Sequence, residues 1–206
     1  MTTAPTTDSS PAARCDAAVA RRSLLQHPFY LAWSEGTLPV PALKDYARDY
    51  GAFIRTVGEG WAAVGEAHIA GIEEGHADVW AHTFAAGLDT EVDAPVIPEV
   101  AALVDTAREL FTDRVTALGA LYAFESQQPY TAQSKLKGLQ EHYQQLPECC
   151  GEYFRLHTDD FDEPTLLATH MDALAAPDAE RAVLACERLS VALHDALTGI
   201  HAPHRA

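Results

Sequence analysis

Apolar residues in this 206-residue chain recur at helical spacing from one end to the other. No segment sustains the period-two alternation of a half-buried strand. The clearest run puts Leu43, Tyr46, Ala47, Tyr50, Phe53, Ile54 and Val57 on one helix face. A chain written in this single period can bury its apolar stripes only by packing helix on helix. The expected fold class is all-α, a bundle of about seven or eight helices. Helices are expected over residues 16–26, 76–88, 99–111, 113–143 with a kink at Pro129, 147–157, 165–174 and 178–199.

The length suits one domain. Residues 1–12, rich in Thr, Ser, Pro and Ala, read as a disordered tail, and 13–206 as the helical domain. The net charge of −16, from 14 basic and 30 acidic residues, opposes binding to nucleic acid or to an anionic membrane through a basic surface. No apolar run is long enough to span a bilayer, and the N-terminus lacks the pattern of a signal peptide. Cys15, Cys149, Cys150 and Cys186 form no CxxC pair, so reduced thiols and a cytoplasmic location are expected. The adjacent Cys149 and Cys150 are expected to pack rather than react.

Glu125 stands out chemically. It lies in Leu121-Tyr122-Ala123-Phe124-Glu125-Ser126-Gln127, with nothing basic one turn away. Burying a carboxylate there costs several kcal/mol unless something pairs with it. A metal ion is one such partner, and Tyr hydroxyls are another. Glu73 and His76 share a helix face at ExxH spacing, a ligand pair of helical carboxylate-iron sites, although any acidic helix also generates such pairs. Glu74 competes with Glu73 for the inward position. His157, followed by Asp160, fits either a ligand pair or a His with an orienting carboxylate, and equally a helix end before an acidic loop. Tyr30 and Tyr46 read as core aromatics, and Lys135 as a helical Lys that reaches solvent.

Taken together, these segments resemble the heme-oxygenase-like helical superfamily of TenA thiaminases, PqqC and the heme-oxygenase-like di-iron oxidases. The resemblance runs from about residue 23 to 198. It is carried by His27-Pro28-Phe29-Tyr30 with Trp33, LKDYARDY at 43–50, Glu73, His76 and Trp80, YAFESQQP at 122–129, KLKGL at 135–139, and Tyr153-Phe154 with His157. It points most closely to the branch of self-sacrificing para-aminobenzoate synthases. The resemblance implies an O2-activating, non-heme iron oxidoreductase with Glu73, His76, Glu125, His157 and Asp160 as metal residues and Tyr30, Tyr46 and Lys135 as reactive ones. It implies one or two iron ions, with manganese as an alternative. The substrate would be a small amine or amino acid, or the protein's own Tyr30; a homodimer is left open.

Two departures bear on this. The segment between the first Glu and His is shorter than in the family. The family's His-x-x-x-Asp-x-x-His pattern meets Phe161 and Pro164 at its later positions. Asp160, Asp162, Glu163 or His170 are the candidates to substitute, and Pro164 suggests an interrupted helix. A metal-free TenA-like or PqqC-like enzyme and a non-enzymatic interaction protein are the alternative readings.

Overall fold

The computed structural model describes residues 10–205. Helix α1 (Pro11–Arg21) opens with Ser10 as its cap, the Ser10 side chain accepting from the Ala13 amide. Residues 11 and 12 therefore belong to the helical body, and the rest of the expected tail, 1–9, lies outside the described residues. A short 3₁₀ turn (Leu24–Gln26) leads to α2 (Pro28–Ser34). Next come α3 (Val40–Asp45), a π-helical turn (Tyr46–Tyr50) and α4 (Gly51–Ile54), which run on as one helix.

Helix α5 (Val57–Val64) ends at Gly65, whose φ of 96° is the left-handed C-cap conformation that glycine adopts most readily. Helix α6 (Ala67–Val79) continues into a second π turn (Trp80–Ala85). Helices α7 (Pro98–Leu110), α8 (Arg114–Glu125) and α9 (Gln128–His142) follow. A 3₁₀ turn (Glu148–Gly151) precedes the short α10 (Glu152–Leu156), and α11 (Asp162–Asp172) and α12 (Ala176–His201) complete the bundle. No strand occurs among the described residues.

Helix α8 lies at the centre of the bundle. Asp113 caps it, accepting from the Val115 and Thr116 amides, and every residue from Ala117 to Glu125 is buried. It crosses α12 so closely that a Cβ on Gly119 would lie 1.8 Å from the Ala182 carbonyl oxygen. Only a residue without a side chain permits this contact. The resulting approach delivers Glu125 into the interior at the last turn of α8.

The structure corrects several expected boundaries. The long helix expected over 113–143 is two helices, because Pro129 sits in the first turn of α9 rather than inside a continuous one. Likewise Pro164 falls in the first turn of α11, where its missing N–H costs nothing. The interruption lies earlier, between α10 and α11, over residues 157–161. No helix among the described residues is long and apolar enough to cross a membrane.

Candidate metal centre

Four segments bring acidic and imidazole groups to one buried place. On α6, the phase of the helix turns Glu73 inward at 2 % exposure and leaves Glu74 exposed, which decides between the two. One turn on, His76 Nδ1 lies 2.9 Å from Glu73 Oε1. His157 follows α10, and its Nδ1 lies 2.9 Å from Asp160 Oδ2. Ligand atoms of Glu73, His76 and His157 all lie within 4.8 Å of one another. The His76 and His157 rings meet edge to face at 4.5 Å.

Glu125, 2 % exposed, accepts a 3.0 Å hydrogen bond from Trp61 Nε1 on α5. No Tyr hydroxyl takes that role among the described residues. Sequence does not single out Trp61, because an indole in an apolar helix reads as core packing; only the pairing of α5 with α8 makes its N–H a partner.

Electrostatics show a site that gathers negative charge away from water. Burial first, and then the charges of Glu163 and Glu73, push the Glu125 carboxyl well above the usual carboxylate range, while the Trp61 bond pulls the other way. Glu163, in the first turn of α11, is raised to about 8 by burial and by the charges of Glu73 and Asp160, with His76 opposing. Burial disfavours protonated His76, but the Glu73 hydrogen bond and charge, with Asp160 and Glu163, outweigh it and raise its pKa. In the absence of a cation, protons must neutralise this cluster.

His157 Nε2 is the most telling atom. It is buried and has no hydrogen-bond partner among the described residues. A buried orphan of this kind carries a cost of about 1–3 kcal/mol. With Nδ1 committed to Asp160, Nε2 is left as the free ring nitrogen of a His whose ligand atoms cluster with those of Glu73 and His76. Imidazole nitrogens beside several carboxylates are the donor set of a non-heme iron site. The residues present fit a divalent metal.

The remaining candidates separate. Asp160 stands behind His157 rather than within the three-residue cluster. His170 points elsewhere, with Nε2 3.1 Å from Glu66 and Nδ1 3.5 Å from Arg114. Asp162 is exposed. Of the four acidic or His substitutes suggested by sequence, Glu163 and Asp160 are the two whose charges raise both Glu125 and His76, and Glu163 is the one not already hydrogen-bonded to His157.

A second group lies along an aromatic series. The His157 ring touches Tyr153 at 4.5 Å, Tyr153 touches Trp80 at 4.8 Å, and Trp80 touches Tyr46 at 5.5 Å. The Tyr46 and Tyr30 hydroxyls are 3.0 Å apart. Lys135 Nζ donates to both, at 3.3 Å and 3.4 Å, and sits 4.9 Å from the Phe154 ring centroid. Contrary to the expectation of a solvated Lys, its side chain is only 3 % exposed. Burial lowers its pKa to about 7. Burial also raises Tyr30 and Tyr46, so both phenols stay protonated near neutrality.

An all-α bundle that converges carboxylates and imidazoles on one buried point defines a class: helical proteins with a set of metal-ligand side chains in the core. A family model described as iron-containing redox enzyme matches residues 48–193, and the chain belongs to that family. It is 31 % identical to a 4-aminobenzoate synthase of Nitrosomonas europaea over 90 % of this chain and 89 % of the relative. A protein of the same name from Chlamydia muridarum is 31 % identical over 62 % of this chain and 63 % of its own. Among solved structures, a TenA homologue from P. horikoshii superimposes with a TM-score of 0.72 at 13 % identity, covering 92 % of this chain and 96 % of that one. The chain is thus an iron-family oxidase, and O2 and a small molecule are the reactants this family implies.

Proposed function

We propose that this chain is a two-metal, non-heme iron oxidase that turns its own Tyr30 into a 4-aminobenzoate-type product, with Lys135 as the source of the amine. Glu73, His76, Glu125, His157 and Glu163 would hold the metal, iron or in its place manganese. Bound iron supplies the activation of O2 and the oxidising power. The similarity to two 4-aminobenzoate synthases supports this product. The observation that carries the reading is Lys135, buried against the hydroxyls of Tyr30 and Tyr46, with desolvation as the sole cause of its lowered pKa.

The roles of the side chains follow from their partners. Asp160 takes the Nδ1 proton of His157 in a hydrogen bond, fixing the tautomer whose Nε2 lone pair faces the cluster. Trp61 holds one oxygen of Glu125 and leaves the other free to ligate. Tyr46 fixes the Tyr30 phenol from one side and Lys135 from the other. With a pKa of about 7, Lys135 holds a substantial fraction of free amine at neutral pH, which an ordinary Lys does not. Tyr153, Trp80 and Tyr46 lie between this group and the cluster, and their touching rings offer a route for an electron from Tyr30. The free cysteines support a reducing, cytoplasmic setting.

The test is a single-turnover reaction. Anaerobically iron-loaded protein given O2 should release the aromatic amine once, and the spent chain should carry a mass loss at Tyr30 and the loss of the side-chain nitrogen at Lys135. Tyr30→Phe should give none. Undiminished product from Tyr30→Phe would show that the substrate is a free small molecule.

A further inference from the structure

The 3₁₀ turn Glu148–Gly151 carries two adjacent free thiols, Cys149 and Cys150. Neighbouring residues on a helical turn ordinarily point apart. Here the sulfurs converge. A Cβ built on Gly87 would lie 2.5 Å from Cys150 Sγ and 3.6 Å from Cys149 Sγ. Cys150 Sγ thus occupies the space that a side chain at position 87 would fill, and Cys149 Sγ borders the same space at van der Waals distance. Cys149 is half-buried, with its thiol 3.8 Å from the Thr83 carbonyl oxygen. Cys150 is buried, yet it lines a cavity of about 290 Å³ whose wall includes Leu139, Tyr143, Glu148 and Arg155. The partial exposure of Cys149 gives small oxidants a route to the attacking sulfur, and the cavity reaches its neighbour.

We propose that Cys149 and Cys150 form a redox-active dithiol that closes to a vicinal disulfide on reaction with a hydroperoxide and reopens with a thiol reductant. Cys149, the more accessible sulfur, attacks one peroxide oxygen as its thiolate. The O–O bond breaks, Cys149 becomes a sulfenic acid, and the second oxygen leaves protonated, as water when the oxidant is hydrogen peroxide. The Cys150 sulfur then attacks Cys149 Sγ; the S–S bond forms, and hydroxide departs with the Cys150 proton as water. Two thiols lose two electrons in all, and one peroxide gains them.

Burial and the neighbouring Cys149 push the Cys150 thiol up to about 11, which assigns it the resolving rather than the attacking role. Adjacent Cα atoms are about 3.8 Å apart, short of the roughly 4.4–6.8 Å usual for a disulfide. The closed ring is strained on that ground, and strained disulfides are the readily reduced, regulatory kind.

Reduced full-length protein should be treated with hydrogen peroxide, digested and mapped by mass spectrometry. The peptide holding both cysteines should lose about 2 Da and recover with dithiothreitol. Cys149→Ser and Cys150→Ser should each abolish that loss. Phenylarsine oxide, which bridges paired thiols, should bind at about one equivalent to the wild type and to neither variant. Unreacted thiols, a stable gain of about 32 Da on Cys149, or a bridge between Cys15 and Cys186 instead would each overturn the proposal.

Discussion

Replacing Lys135 by Met should make the metal-free protein more stable at low pH and change how stability depends on pH. The Lys135 ammonium is only 3 % exposed, and its pKa falls from 10.5 to about 7 because of burial. Below pH 7 the group is protonated in both the folded and unfolded chains, so folding carries the full cost of desolvating the charge. Between about 7 and 10.5 only the unfolded chain is protonated, and stability gained by deprotonation grows with pH. Above 10.5 neither is charged and the cost is gone. The shift corresponds to about 4–5 kcal/mol at the acidic end, as an upper bound. Across about pH 7.5–9, the wild type should gain about 2 kcal/mol relative to Lys135→Met, at close to 1.4 kcal/mol per pH unit for one proton. Urea titrations of both proteins without metal, at pH 6, 7.5 and 9, give the difference directly and cancel the other titrating groups. Parallel pH profiles would refute a buried Lys135 with a lowered pKa, and with it the free amine proposed for catalysis.

Other outcomes follow from single contacts. Trp61→Phe removes the donor to Glu125 Oε1 and should cost about 1–3 kcal/mol in urea denaturation of the metal-free protein. Asp160→Ala frees the His157 ring and should weaken Fe(II) binding about 10–100-fold in an anaerobic titration, leaving the far-UV spectrum unchanged. Gly119→Ala puts a methyl group against the Ala182 carbonyl and should lower stability by about 1–3 kcal/mol or more, read as a reduced melting temperature.

Much of this site could be read in the sequence. Glu125 betrays its burial through its apolar neighbours, and ExxH spacing alone puts Glu73 and His76 on one face. Choosing Glu73 over Glu74 required the phase of α6 against the core, which spacing does not supply. The burial of Lys135 is not legible locally because its cage comes from elsewhere in the chain: Tyr30 on α2, Tyr46 on the first π turn and Phe154 on α10. Trp61 was hidden for the same reason. The Pro129 and Pro164 boundaries shifted because proline suits a first helical turn as well as it breaks an interior one, and sequence does not say which turn it occupies. His170 was a fair candidate by composition, but Glu66 and Arg114 claim it.

The central claim is that the buried cluster binds iron through the unpartnered His157 Nε2. Iron content per chain after anaerobic Fe(II) loading and desalting tests it most directly, comparing wild type with His157→Gln and checking both for folded helix content. The account predicts about two ions per wild-type chain and a clear loss in the variant. Equal iron in both proteins, or none in the wild type, would contradict it.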